Sequence, residues 1–349
     1  MKGDKAAAGL GTLTGVAGGW LAMCLLVWAF GESPRAIVGQ ALGGTWGVGY
    51  GVGQVLSKAT PLLFTGLAVD LALRAGLFNI GAEGQLAVAG LVVAGVGSRL
   101  PASTPAWVAV PIVLLLAAGS GALWALLPAA LRARRGAHEV ISTIMMNRVA
   151  DVAAAYALAH GLALAGTVRT ADVIVGARFP RLETLGLDAV RGSSVSVAFL
   201  VAVAAPFAAA AWLRRTRIGR ETVLVGLAPE ACAAERIPVA RRTAVALIAS
   251  GGVAGLAAVG PVLGAKGYYE AGLAAGAGFG GVAVAILGRG SPLGLLAAAL
   301  LFGTLEQAGL AINGRVPMEI AVVLEGIVVV AVALGDARVR LAMRVRASS

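Results

Sequence analysis

Charge is what this sequence has least of. Only 13% of its 349 residues are Asp, Glu, Lys or Arg, about half the share found in a soluble domain. Residues 6–31 and 243–265 carry none at all. A soluble fold is excluded on that ground. The alternating segments of ~10 residues that build an outer-membrane barrel are also missing. Histidine is limited to His138 and His160, and cysteine to Cys24 and Cys232. Cys24 lies in an apolar run and Cys232 in a basic loop, so no disulfide is expected. There is no metal-ligand cluster, no nucleophile–base pair, and no phosphate loop of the form Gly-x-x-x-x-Gly-Lys-Ser/Thr. An intramembrane enzyme is disfavoured. This chain is expected to bind no cofactor, and any ATP that drives it must sit on another chain.

What is present is apolar. Hydrophobic residues make up 59% of the chain and the mean hydropathy is +0.89. A transmembrane helix needs ~20 apolar residues. Runs of that kind are read at 8–30, 58–74, 83–98, 106–131, 140–162, 195–213, 243–264, 271–288, 291–310 and 316–334. The expected fold is an all-α polytopic membrane protein of about ten transmembrane helices, N-in and C-in, as a single transmembrane domain over 1–349. With the N-terminus inside, most of the 28 lysines and arginines fall at cytoplasmic ends, among them Arg132, Arg134, Arg135, Arg214, Arg215, Arg217 and Arg220. That is the positive-inside bias. The net charge of +11 belongs to it, and no nucleic acid is expected as a partner. The first run continues past Cys24 and reads as a retained span rather than a cleaved signal peptide. Two connections are long enough to fold: an external loop at 163–194 and a basic cytoplasmic loop at 214–242. Glycine supplies 50 residues, and most are expected to let membrane helices approach closely.

The most informative stretch is 76–85, Gly-Leu-Phe-Asn-Ile-Gly-Ala-Glu-Gly-Gln. It puts polar, glycine-rich backbone between apolar runs at 60–73 and 86–97. Irregular backbone at membrane depth persists only where protein or a water-filled cavity satisfies it. A second glycine-rich break, 275–281, follows the seventh span. The two spans that lead into the breaks run in opposite directions, so the pair is what an inverted repeat predicts, with the site where the halves meet.

Asp70, Asn79, Glu83, Gln85, Glu139, Asn147, Arg148, Asp151, Glu306, Gln307, Glu319 and Glu325 lie in or near spans. Such groups face a cavity or a partner. They serve either a solute path or interhelical packing. Arg148 and Asp151, three apart on one helix, can neutralise each other. Asp70 raises proton coupling as an alternative, which would make the chain an autonomous secondary transporter. Phe78 and Phe279, at the two breaks, offer aromatic faces on which a base can stack. Asn79, Glu83 and Gln85 offer partners for hydroxyls. These five are the candidate pathway residues. The alternative is that the aromatics only pack helices and the amides only cap broken ends.

In the basic loop, Pro229 stands where it would be the first residue of a helix, with Glu230 in its first turn. Pro238 is expected to end it. The helix over 229–236 reads either as an interfacial helix on anionic lipid or as a docking knob for a cytoplasmic subunit.

Residues 76–85 resemble the hallmark segment of bacterial ABC-importer permeases for nucleosides and simple sugars, which are related to the ribose and branched-chain amino-acid permeases. Residues 139–147, 225–237, 278–303 and 316–320 resemble further segments of the same family in order and spacing, so the likeness covers about 58–335. Ala228 stands where the family usually has Asn, Asp70 at a normally apolar or small position, and Glu325 where an amide is common. The resemblance implies a location in the bacterial cytoplasmic (inner) membrane, embedded in its lipid. It implies an importer with two permease subunits, the second a different chain. A cytoplasmic ABC ATPase would hold ATP and Mg, and an extracytoplasmic lipoprotein would deliver the solute. It also implies that the segment carrying Gly226, Pro229, Glu230, Ala231 and Glu235 couples the permease to the ATPase.

Overall fold

A computed structural model describes residues 18, 21, 24, 25, 27, 28, 30–274, 276–317, 323, 326, 327 and 330. Among them the regular elements are helical. The helices are α1 (Pro34–Thr45), α2 (Gly49–Arg74), α3 (Ala82–Gly97), α4 (Ala106–Arg135), α5 (Glu139–Ala157), α6 (Ala198–Arg215), α7 (Arg217–Leu227), α8 (Pro229–Ala234), α9 (Val239–Leu256), α10 (Ala277–Gly288) and α11 (Pro292–Ile312). A π-helical segment, Val259–Lys266, follows α9 after a short turn. The chain divides into two compact units, residues 56–300, and residues 1–55 with 301–349.

Each span read from the sequence between residues 58 and 310 falls on a helix. Among the described residues, five helical stretches are long and apolar enough to cross a membrane: Gly49–Arg74, Ala106–Arg135, Ala198–Arg215, Val239–Lys266 and Pro292–Ile312. Ala82–Gly97 and Ala277–Gly288 are shorter apolar helices. The protein is thus a multi-pass membrane protein. The runs at 8–30 and 316–334, with Glu319 and Glu325, lie largely or wholly outside the described residues.

Several boundaries differ from the sequence reading. α2 begins at Gly49 rather than 58, because the glycine-rich turn before it is followed by helix and not by loop. The span read as 271–288 is helical only from Ala277, since 271–274 and Gly276 form turns. Arg214 and Arg215 belong to the end of α6, and α7 occupies ground read as loop. Proline is tolerated inside α2, α4 and α6 at Pro61, Pro111, Pro128 and Pro206. Neighbouring helices in a membrane bundle can satisfy the freed backbone groups.

In the larger unit α4 packs on α9 through small residues. A Cβ on Gly121 would come within 2.3 Å of the Gly251 carbonyl oxygen, and one on Gly255 within 2.1 Å of that of Ala117. Small residues four apart on both helices bring the backbones together where no hydrophobic effect drives association. The 163–194 segment carries three short 3-10 turns and lies over the end of the π-helical segment. Thr170 N donates to Tyr269 O at 2.8 Å, Val173 N to Gly267 O at 2.8 Å, and Phe179 N to Leu263 O at 3.0 Å. In the smaller unit Val27, Ile37, Ile312 and Val316 form one apolar cluster, and Gln40 Nε2 donates to Ala311 O at 2.8 Å.

Candidate functional site

The first break opens where α2 stops. Gly76 adopts φ +72°, a left-handed conformation that favours glycine. The chain then runs without regular structure through Leu77, Phe78 and Asn79 before α3 begins at Ala82. Of the residues expected on broken backbone, Asn79 lies there, while Glu83 and Gln85 sit in the first turn of α3.

The polar groups of this break are satisfied by side chains from three helices. Asn79 Oδ1 accepts from Gly81 N at 2.9 Å. Its Nδ2 donates to Gln85 Oε1 at 2.9 Å and to Ser250 Oγ at 2.7 Å. Ser250 Oγ donates in turn to Ala68 O at 2.6 Å. From α5, Asn147 spans the gap: its Nδ2 donates to Ile80 O and its Oδ1 accepts from Gly84 N, both at 2.9 Å. Glu139 Oε1 accepts from Phe78 N at 3.3 Å, and its Oε2 lies 3.4 Å from Arg132 Nε. Asn79 and Gln85 are buried at 0% and 1% exposure. Buried polar backbone must find partners within the protein, and these amides provide them.

The break expected at 275–281 is helical from Ala277 onward; the irregular backbone lies before it, after the π-helical segment, and passes through left-handed Gly267, Gly272 and Gly276. It meets the first at Glu83. Gly276 N donates to Glu83 Oε1 at 3.2 Å, and a Cβ on Gly278 would lie 2.4 Å from the backbone N and the Cβ of Glu83. Thr65 Oγ1 on α2 donates to Ala277 O at 2.9 Å. Tyr269, buried, lies against Gly90 of α3, where an added Cβ would be 3.0 Å from its ring. Glu83 Oε2 is buried and has no hydrogen-bond partner among the described residues. Of the two candidate aromatics, Phe78 is half-buried on the first break and Phe279 is exposed on α10.

Two ionic features bear on transport. Asp70 pairs with Arg74 one turn on, at 2.8 Å, and Arg74 also donates to Gly290 O. Arg148 and Asp151 pair at 3.4 Å on α5 with side chains 79% and 56% exposed. The sequence places that pair on one helix face. Its exposure is visible only in the fold.

The basic loop folds into two helices. Thr216 caps α7 by accepting from Gly219 N at 3.0 Å. Glu221 pairs with Arg217 one turn back on α7 and ties α7 to α9 through Arg242, each at 2.6 Å. The hydrogen bond from Arg217, and then those from Arg242, hold its carboxyl below the ordinary carboxylate range. Pro229 does stand at the start of α8 with Glu230 in its first turn. The helix stops at Ala234, before Pro238, and Arg236 is left-handed at φ +58°. Pro229, Glu230, Ala231 and Glu235 are exposed, whereas Cys232 is buried. Gly226 is different in kind. A Cβ there would be 2.2 Å from Arg74 O and 2.8 Å from Gly76 N, so the end of α7 rests on the backbone where the first break begins.

The family of branched-chain amino acid transport system permease components matches residues 51–333. The chain belongs to that family. A glucose ABC transporter permease protein, TsgB13 of Haloferax volcanii, is 34% identical over 80% of this chain and 75% of its own length. The guanosine ABC transporter permease protein NupP of Bacillus subtilis is 33% identical over 90% of both chains. The nucleoside ABC transporter permease protein NupB of Lactococcus lactis is 28% identical over 90% of this chain and 88% of its own. Each of these organisms also supplies a second, less similar permease, at 25–28% identity. No solved structure matches the chain. This permease is thus of the ABC importer type, and its family is one of transport rather than catalysis.

Proposed function

We propose that this permease moves nucleosides, or a related simple sugar, across the cytoplasmic membrane as one half of an ATP-driven importer. Its other half is a second, different permease chain. A cytoplasmic ABC ATPase carries ATP and Mg, and an extracytoplasmic lipoprotein delivers the solute. The pairing of permeases within each relative's organism supports the heteromeric reading.

The observation that carries the mechanism is Gly226 seated against Arg74 and Gly76. In this reading α8, with Pro229, Glu230, Ala231 and Glu235, docks on the ATPase. Motion of α8 passes through the end of α7 to the first break, and so to α3 and the Glu83 contact with the second break. The order long helix, break, short helix, long helix occurs twice, in α2–α3–α4 and in α9–α10–α11, which supports an inverted repeat with its site at the junction of the breaks. In this reading both termini lie inside, on the strength of the positive-inside bias. Rocking about such a junction gives alternating access.

Solute passes the junction past Phe78, Glu83 and Phe279, and Asn79 and Gln85 set the shape of the wall from behind. α5 turns Arg148 and Asp151 toward the path and the second permease, because an exposed ion pair in the middle of a span is costly against lipid. The alternative of ion-coupled transport loses its motive in the Asp70–Arg74 pair. The test is uptake of radiolabelled guanosine and glucose into proteoliposomes that hold both permeases, the ATPase and the binding protein. ATP-dependent uptake of either solute is expected, competed by unlabelled nucleoside. Uptake that persists without the ATPase and follows an imposed proton gradient would sink the proposal.

A further inference from the structure

At the end of α6 the larger unit holds a cavity of about 460 Å³ lined by Arg74, Arg214, Arg220, Leu213, Leu224 and Pro292, among others. It continues into a narrow crevice past Leu67, Pro206 and Leu295. Beyond that, sharing Leu67 and Ala209, lies an apolar groove of about 350 Å³ along α6, lined by Leu71, Trp212, Val253 and Leu256. The cavity at the end of α6 is therefore rimmed by arginines, and the open groove beside it is apolar. Within that rim Arg74 is neutralised by Asp70. Arg214 and Arg220 are exposed, and Arg220 Nη1 donates to Arg214 O at 3.4 Å.

We propose that this is a binding site for an anionic phospholipid. The headgroup phosphate sits between Arg214 and Arg220, and one acyl chain lies in the groove beside Trp212. Guanidinium forks suit phosphate oxygens. Basic pockets between membrane helices on the cytoplasmic side take anionic headgroups. The apolar groove distinguishes a lipid from free phosphate, because inorganic phosphate would leave it unfilled. The site joins α6 to α7, so the bound lipid braces the helix that carries Glu221 and Gly226.

The test uses the full-length chain in a neutral detergent and follows quenching of tryptophan fluorescence by phosphatidylglycerol with brominated acyl chains. Quenching is expected at much lower concentration than with brominated phosphatidylcholine. It should lose its high-affinity part in Trp212→Phe. Removing two charges in Arg214→Gln/Arg220→Gln should weaken it about thirty-fold. Ala210→Trp, which fills the cavity, should keep its elution volume and lose the thermal stabilisation that phosphatidylglycerol confers. Inorganic phosphate should not displace the lipid at equal concentration. Equal quenching by the two lipids, full quenching in the double arginine variant, or displacement by equimolar phosphate would each overturn the assignment.

Discussion

Glu83 and Gly276 are 193 residues apart in sequence, and the carboxylate of one accepts a hydrogen bond from the backbone of the other at 3.2 Å. This contact joins the start of α3 to the break before α10. Gly278 packs so closely on Glu83 that a methyl group would not fit between them. Glu83→Gln can still accept from Gly276 and should support substantial uptake. Glu83→Ala leaves that N–H without its acceptor, a loss of ~1–3 kcal/mol, and should reduce uptake about tenfold or more at matched expression. Equal uptake in wild type and Glu83→Ala would remove the junction from the transport path.

Gly226→Ala places a methyl group on backbone that has no side chain to move aside. Overpacking of this kind costs ~1–3 kcal/mol. We expect reduced uptake per ATP hydrolysed, with the ATPase still co-purifying. Glu230→Lys, on exposed α8, should instead weaken ATPase co-purification and leave membrane insertion intact. If Gly226→Ala transports with unchanged coupling ratio, α7 is not the transmission element.

Asn79, Gln85 and Ser250 form one buried network, so their losses are not independent. Asn79→Ala and Gln85→Ala should each lower the thermal midpoint, with the double variant clearly less destabilised than the sum. Additive effects in a melting series would show that the two amides act separately.

Glu221 gives an acid-side signature. Its carboxyl is held below the ordinary range by Arg217 and then Arg242. The stabilisation is fully present above the unfolded carboxylate pKa of ~4.3 and is lost as pH falls through the lower, folded value. Wild type should therefore melt above Glu221→Gln at neutral pH, and the gap should narrow as the pH drops below about 4. A gap that stays constant across that range would mean the two arginines do not act through the charge.

Asp70 is already paired with Arg74. Asp70→Asn should leave uptake independent of a proton gradient, as in the wild type, while weakening the tie from Arg74 to the turn at Gly290. A protonophore that stops wild-type uptake at saturating ATP would restore Asp70 as a coupling group.

By itself the sequence determined the membrane class, because scarce charge and long apolar runs admit no soluble fold. It also located most helices, the start of the first break and the start of α8, since glycine, proline and the acidic first turn act locally; the second break it set at 275–281, where the chain is already helical from Ala277. It missed α1, the first turns of α2, and α7. Those segments are short or glycine-rich, and their helices take support from packing rather than from an apolar run. Whether Asn79 and Gln85 face a path or the protein could not be read from composition, because an amide serves water and backbone equally well. Only the tertiary structure placed Asn147 across the break, seated Gly226 on Gly76, brought Gly276 to Glu83, and left Arg148 and Asp151 exposed. The first three relationships join residues tens to hundreds of positions apart, and no local periodicity encodes which distant backbone a small residue will touch.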